Sequence, residues 1–187
     1  MRATLEPVIQ VDIRPLAPDD LAKIQQELPP EHPEAHVRRL ADQRAGLVTY
    51  LVAWADGRPV GHTLVRWGGT TNPELRWLLD SRARHPYVEA LLVHPSFRSR
   101  SVGSQILDVA ERLVRDRGIR LIGLAVAVEN TRARALYERR GYRDLGISEF
   151  ANAWSYVDEA GHEVAESEFC SYLVKDLNAH AGRERSG

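Results

Sequence analysis

The stretch Arg98-Ser-Arg-Ser-Val-Gly-Ser104 decides the fold, because it joins an apolar run that ends at Val93 to an amphipathic helix that begins near Val102. A turn that opens directly into a helix leaves several backbone N–H groups without acceptors on that helix. The helix dipole adds roughly half a positive charge at the same end, and the two arginines add their own charge. We therefore expect this turn to bind a phosphate or a pyrophosphate group.

The segments next to this turn predict two buried strands, over residues 87–93 and 120–128, joined by a helix over residues 102–117. Apolar residues recur on one face of that helix, and Gly118 is typical of a helix C-terminal end. Two strands that are connected through a helix pair in parallel. We therefore expect one parallel pair.

Other segments predict antiparallel strands. Residues 50–55 and 60–67 are apolar runs separated by Asp56-Gly57, which supplies the positive φ angles of a tight hairpin turn. Residues 154–161 end in a second hairpin-type turn, and residues 168–177 alternate as a strand does. The fold class that follows is α/β (α+β), with a mixed, mostly antiparallel sheet flanked by helices.

Weaker signals lie outside these strands. Residues 8–13 alternate as a first strand, and helices are expected from Pro18, over residues 34–43 and from the N-cap Asn130 onward. Residues 68–86 predict either an inserted loop or a loop that carries a short helix.

Composition limits the classes of function. The chain has 187 residues and a formal net charge of -1, which gives no support to nucleic-acid or membrane partners. We expect one domain over residues 1–177 and a polar, disordered tail over residues 178–187. Cys170 is the only cysteine, and no stretch resembles a signal peptide or a membrane helix, so we expect a cytoplasmic protein. No ligand set for a metal is expected.

Two motifs resemble those of the GNAT superfamily of acyl-CoA-dependent N-acyltransferases. The family's signature, Arg/Gln-x-x-Gly-x-Gly/Ala between a strand and a helix, corresponds to Arg98-Ser-Arg-Ser-Val-Gly103. The segment Glu129-Asn-Thr-Arg-Ala-Arg-Ala-Leu-Tyr-Glu-Arg-Arg-Gly-Tyr142 resembles the second hallmark. Ser101 stands where the family usually has its first glycine. If that position needs a positive φ, serine is strained there; otherwise its hydroxyl is one more donor to phosphate.

The resemblance implies that acetyl-CoA is the co-substrate and lies where strand 87–93 and strand 120–128 splay apart. It also implies that the pantetheine arm pairs with the backbone of Leu91, Leu92 and Val93. By the same resemblance, Asn130 contacts the pantetheine. The residues that would hold the pyrophosphate are Arg98, Ser99, Arg100, Ser101, Val102, Gly103 and Ser104.

An amine attacks a thioester only as the free base, and a lysine-like amine is about a thousandth free base at neutral pH. Glu89 is the candidate base, directly or through water, because it lies on the strand before the turn. Its position also matches a glutamate that acts as base in some polyamine-acetylating relatives. The alternative is a glutamate that pairs with a neighbouring arginine or is merely solvated.

Tyr137 resembles the family's general acid, which protonates the departing thiolate. The alternative is a tyrosine that packs its ring under the helix, with its hydroxyl satisfied elsewhere. A backbone N–H near Val93 would polarise the thioester carbonyl.

The function that follows is acetyl transfer from acetyl-CoA to a primary amine by direct attack in a ternary complex. A non-catalytic acyl-CoA-binding or regulatory module with the same fold is the alternative, and only the enzyme requires Glu89 and Tyr137. The acceptor, a small-molecule amine or a protein amine, is left open because a fold does not specify a substrate. A homodimer is compatible with the exposed late strands.

Overall fold

The structure is a computed structural model that describes residues 8–30, 32, 34–79, 85–157 and 160–178. Its internal contacts divide the chain into two units. The first unit comprises Met1–Val65 and Ala90–Ala110, and the second comprises Arg66–Glu89 and Glu111–Gly187. The single domain expected over residues 1–177 stays a prediction. The predicted tail lies outside the described residues from position 179 onward.

Three neighbouring strands form most of the sheet in the first unit: β1 (Asp12–Pro15), β2 (Val48–Ala55) and β3 (Arg58–Arg66). The strand that follows β3 in the sheet, β4 (Tyr87–Val93), starts in the second unit and ends in the first. Between β2 and β3, Asp56 and Gly57 have φ angles of 49° and 74°. Positive φ at both central residues is what a two-residue type I′ hairpin turn needs. The predicted hairpin is confirmed.

Strand β1 begins at Asp12, although the alternation over residues 8–13 predicts an earlier start. It is antiparallel to β2 and pairs from Asp12 opposite Trp54 to Pro15 opposite Leu51. Ile9 and Val11 instead pack in an apolar cluster with the helix that follows the 98–104 turn. Their alternation therefore reflects packing against a helix and not pairing within the sheet.

Two helices cover one part of the first unit. A short 3-10 turn at Pro18–Asp20 leads into α1 (Leu21–Glu27), and α2 (Ala35–Arg44) follows. Both were predicted near these bounds. Their apolar residues share a buried cluster with β2 and β3, which includes Leu16, Ile24, Leu28, Leu40, Val48, Tyr50, Val52, Trp54 and Leu64.

The helix after the turn, α4 (Val102–Asp116), confirms the prediction of a helix there. In the first unit its buried residues Val102 and Ile106 pack with Ala53 and Val60. Gly118 has a φ of 72°, the left-handed conformation that commonly ends a helix.

The sheet of the second unit contains the start of β4, then β5 (Leu121–Ala127), β8 (Glu163–Asp176) and β6 (Arg143–Asp144), and β7 (Phe150–Val157) pairs with β8. Strands β4 and β5 are parallel, with Tyr87 opposite Gly123 and Val88 opposite Leu124. Strand β8 is antiparallel to β5, β6 and β7. The pairing of β4 with β5 confirms the predicted parallel pair.

Two more helices belong to the second unit, α3 (Pro73–Leu79) and α5 (Thr131–Arg139). In the described part of residues 68–86, which excludes positions 80–84, α3 favours the prediction of a loop that carries a short helix. It covers a buried cluster that contains Leu75, Leu79, Tyr87, Phe150, Cys170 and Tyr172.

The predicted fold class is confirmed: the described strands form a mixed, mostly antiparallel sheet with helices and the parallel pair β4–β5. Across the described residues, no helix has both the length and the apolar character that crossing a bilayer requires.

Candidate functional site

The turn that opens α4 has the geometry of an anion site. The amide of Gln105 donates to Ser101 O at 3.0 Å, which is the first hydrogen bond of the helix. The amides of Val102, Gly103 and Ser104 precede that bond, so helix geometry gives them no acceptor on α4 itself. The positive end of the helix dipole acts at the same place.

Two serines of this turn have left-handed backbones. Ser99 has a φ of 64° and Ser101 a φ of 66°. A residue other than glycine in this region costs about 1–3 kcal/mol, which the surrounding structure must offset. The question raised by Ser101 is therefore answered: the position does need a positive φ, and serine is strained there.

The backbone and side chains of the turn also connect it to neighbouring segments of the first unit. Arg98 Nε donates to Val93 O at 3.1 Å, which ties the turn to the end of β4. The guanidinium of Arg100 lies 6.0 Å from the centre of the Phe97 ring. The carbonyl of Arg100 accepts from the amide of Ile9 at 3.4 Å. The turn therefore places two arginines directly before α4 in the chain.

Replacing Ser101 with glycine is expected to stabilise the protein by about 1 kcal/mol, because glycine adopts a positive φ without steric cost. The same substitution at Ser104, inside the first turn of α4, should instead destabilise it by about 0.5–1 kcal/mol. Urea unfolding of both variants measures the difference. A Ser101→Gly variant that loses as much stability as Ser104→Gly would show that Ser101 is not strained.

The end of β4 lies directly before the turn. Its side chains Leu91 and Val93 pack against the buried cluster that contains Val102 and Ile106 of α4. Gly61 of β3 lets the two strands approach closely, because a Cβ at that position would lie 2.8 Å from Leu92 O. Earlier in β4, Ala90 has a φ of 53°. Left-handed residues inside strands are uncommon, and they cluster at functional sites.

Glu89 forms an ion pair with Arg66, the last residue of β3. Arg66 Nη2 lies 2.7 Å from Glu89 Oε1, and Arg66 Nε lies 3.2 Å and 3.3 Å from the two carboxylate oxygens. Both side chains are mostly buried, with 17% and 26% of their surfaces exposed. The carboxylate is thereby held in one orientation. This ion pair matches the alternative in which Glu89 pairs with a neighbouring arginine. It is also compatible with a catalytic base that is held in place by a cation.

Asn130 and Tyr137 both belong to the α5 segment. Asn130 Oδ1 accepts from the amide of Ala133 at 3.1 Å and caps the helix, as predicted. Tyr137 is 7% exposed, and its ring lies 5.9 Å from the ring of Tyr142. Burial raises the pKa of Tyr137 to about 12, so its phenol is protonated at neutral pH.

Cys170 lies on β8 with 1% of its surface exposed. Burial, together with the carboxylate of Glu168 at 3.7 Å from its Sγ, raises the pKa of the thiol to about 12. A thiol that stays protonated is a poor nucleophile. These properties fit a small buried core residue.

Within the first unit, the structure brings together the pyrophosphate candidates Arg98–Ser104 and the strand residues Leu91, Leu92 and Val93. Glu89, Asn130 and Tyr137 belong to the second unit. Sequence reasoning missed Arg66 and the left-handed Ala90. No pattern signals either of them, since Arg66 meets Glu89 from a different strand and alanine is not a typical residue for positive φ.

The model of the acetyltransferase (GNAT) family matches residues 19–142. A thialysine N-epsilon-acetyltransferase from Bos taurus is 31% identical over 111 residues, which cover 59% of this chain and 63% of the bovine enzyme. The match thus spans less than two thirds of that relative's length.

Solved structures resemble the fold at low sequence identity. The PaiA N-acetyltransferase from Thermoplasma acidophilum, in complex with coenzyme A, superposes with a TM-score of 0.56 at 14% identity, covering 90% of this chain and 99% of that one. A GNAT family acetyltransferase from Elizabethkingia anophelis, with acetyl-CoA bound, gives a TM-score of 0.53 at 12% identity, covering 89% and 97%.

Proposed function

This chain belongs to the acetyltransferase (GNAT) family, and from that membership we propose that it transfers the acetyl group of acetyl-CoA to a primary amine of a small molecule or a protein. The observation that carries the proposal is the turn before α4. Its left-handed Ser99 and Ser101, its first-turn amides and its two arginines suit a diphosphate. The coenzyme A and acetyl-CoA in the two structural neighbours support the same co-substrate.

In this proposal, the residues Arg98 to Ser104 hold the pyrophosphate, chiefly through the amides of Val102, Gly103 and Ser104. The backbone of Leu91, Leu92 and Val93 pairs with the pantetheine arm, and Asn130 contacts that arm through its amide nitrogen. An N–H near Val93 polarises the thioester carbonyl. A preorganised donor of this kind commonly makes the largest catalytic contribution.

The reaction proceeds by direct attack, without a covalent intermediate on the protein. The amine nitrogen forms a bond to the carbonyl carbon, and its surplus proton passes to Glu89 directly or through water. The bond between that carbon and the coenzyme A sulfur breaks, and Tyr137 gives its proton to the departing thiolate. A positioned acid or base of this kind is worth about 10² to 10⁴ in rate.

Release of free coenzyme A thiol, measured across a panel of amines, tests the proposal. Thialysine is the first acceptor to try, because the bovine relative is named for it. A polyamine, an amino acid, an aminoglycoside and a lysine peptide complete the panel. Thiol release with at least one amine supports the enzyme. Acetyl-CoA binding without release on any amine would favour the non-catalytic module.

Replacing Glu89 with glutamine is expected to lower kcat at pH 7 by at least about tenfold, because the attacking amine loses its base. The loss should shrink as pH rises. Below the amine pKa near 10.4, each increase of one pH unit raises the fraction of free-base amine about tenfold. Steady-state rates between pH 7 and 10 measure this.

The matched control is Glu163→Gln on β8, an exposed carboxylate that pairs opposite Val157 and should leave kcat unchanged. A Glu89→Gln variant that keeps the kcat of the unmodified protein would remove Glu89 from the mechanism. An equal loss at every pH would assign it a structural role.

Whether the protein acts as a homodimer in the cytoplasm stays part of the proposal. Size-exclusion chromatography with light scattering measures the oligomeric state.

A further inference from the structure

The conformation of Ala90 needs a cause. Its φ of 53° lies in the left-handed region, which alanine rarely adopts and which is unusual inside a strand. Its side chain is exposed, so packing of its own methyl group does not hold it. A contact to its backbone can stabilise this conformation.

His62 of β3 supplies such a contact. The side chain is buried, with 1% of its surface exposed, and its ring hydrogen-bonds to the backbone of Ala90. The partner atom is the Ala90 carbonyl, because the contact favours the protonated ring. Nδ1 of His62 has no partner among the described residues. The donor is therefore Nε2, and the tautomer is the one with its proton on that nitrogen.

The ring of His62 is itself fixed by aromatic neighbours in the first unit. Its centroid lies 5.7 Å from the ring of His36 and 5.6 Å from the ring of Tyr50, both edge to face. His36 is anchored in turn, with Nε2 at 2.8 Å from Leu28 O and Nδ1 at 2.6 Å from the Tyr50 hydroxyl. These contacts fix the plane of the His62 imidazole.

The charge state of His62 is set by the same surroundings. Burial, with smaller contributions from the charges of Arg39 and His36, holds its pKa well below the ordinary value. The ring is neutral at physiological pH and carries one N–H. That single N–H points at the Ala90 carbonyl.

We propose that His62 is a positioning residue for acetyl transfer: its Nε2–H holds Ala90 in the left-handed conformation and thereby aims the backbone N–H groups of Leu91 to Val93. This inference rests on the proposed function, in which those N–H groups bind the thioester and the pantetheine arm. Ala90 also follows Glu89 directly, so the same contact fixes the backbone next to the proposed base. His62 itself touches no reacting atom.

Three variants test the proposal. His62→Leu removes the donor at similar volume and should lower kcat about tenfold or more, while the KM for acetyl-CoA changes by less than about threefold. Adding Ala90→Gly to it should restore kcat to within about threefold, because glycine adopts a positive φ without help. His62→Gln keeps an N–H donor and should retain most of kcat. An unchanged kcat in His62→Leu, or a loss that Ala90→Gly does not recover, would overturn the proposal.

Nuclear magnetic resonance gives a readout that needs neither activity nor a stable variant. In the unmodified protein, the His62 ring should be neutral at pH 7 and should show the Nε2–H tautomer, and the carbon shifts of Ala90 should report a positive φ. An Nδ1–H tautomer would overturn the inference, even if His62→Leu fails to fold. If no amine is acetylated, the proposed function fails, whereas the tautomer still decides whether His62 holds Ala90.

Discussion

Replacing Tyr137 with phenylalanine is expected to lower kcat by at least about tenfold and to leave the dissociation constant for acetyl-CoA within about twofold. The phenylalanine ring keeps the packing against Tyr142, 5.9 Å away, so the change removes little beyond the hydroxyl. In the proposed mechanism, loss of that hydroxyl leaves the departing coenzyme A thiolate without its proton donor. Steady-state kinetics and isothermal titration with acetyl-CoA measure the two effects separately.

The pH dependence adds a second readout for Tyr137. A general acid must be protonated, so kcat falls as pH rises through its pKa. Burial raises the pKa of Tyr137 to about 12, which predicts no loss of kcat from this group between about pH 7 and 10. The matched control is Tyr156→Phe on β7, whose exposed hydroxyl donates to Glu166 at 3.2 Å and should be dispensable. If Tyr137→Phe retains full kcat, Tyr137 is only a packing residue.

Replacing Glu111 with glutamine is expected to lower the free energy of unfolding by about 3–5 kcal/mol. Glu111, on α4 in the second unit, has 4% of its side chain exposed and lies 3.2 Å from Arg140 and 2.5 Å from Lys175. These two cations are themselves mostly buried, with 16% and 14% of their side chains exposed. Glutamine fits the same volume but removes the negative charge that both cations contact, which is costly where water is excluded. Urea unfolding measures the loss.

The control for Glu111 is an exposed pair on the neighbouring helix. Glu138 pairs with Arg134 at 3.1 Å with 53% of its side chain exposed, and such pairs contribute about 0.2–1 kcal/mol. Glu138→Gln should therefore change stability little. Equal losses in the two variants would show that the Glu111 cluster behaves as a surface pair.

Local sequence signals predict much of the fold because they act over a few neighbouring residues. Asp56-Gly57 specifies its hairpin through backbone conformation, and Asn130 caps α5 as its side chain predicts. The start of β8 had no such signal. Its residues from Glu163 to Ser167 are mostly polar and exposed, and they form a strand because they pair with β7. Pairing with a partner strand needs no periodic pattern in the residues that pair.

The candidate site likewise has one part that local sequence signals predict and another part that depends on contacts between different strands. The Arg98–Ser104 turn was recognisable because its residue types and its place before a helix both indicate an anion site. The Arg66–Glu89 ion pair joins two strands, so neither residue predicts the other. His62 has the properties of an ordinary core histidine in the sequence, and only the left-handed φ of Ala90 shows what it holds.

Binding of acetyl-CoA is the most direct test of the account, because every proposed role depends on that co-substrate. Isothermal titration first measures the dissociation constant, and unfolding is then followed with acetyl-CoA at about 100 times that value. A ligand that binds only the folded chain should then add roughly 2.7 kcal/mol to the free energy of unfolding. Glutamate substitution of both Arg98 and Arg100 should abolish the gain. A gain of this size confirms the cofactor assignment, and no stabilisation at millimolar acetyl-CoA would contradict it.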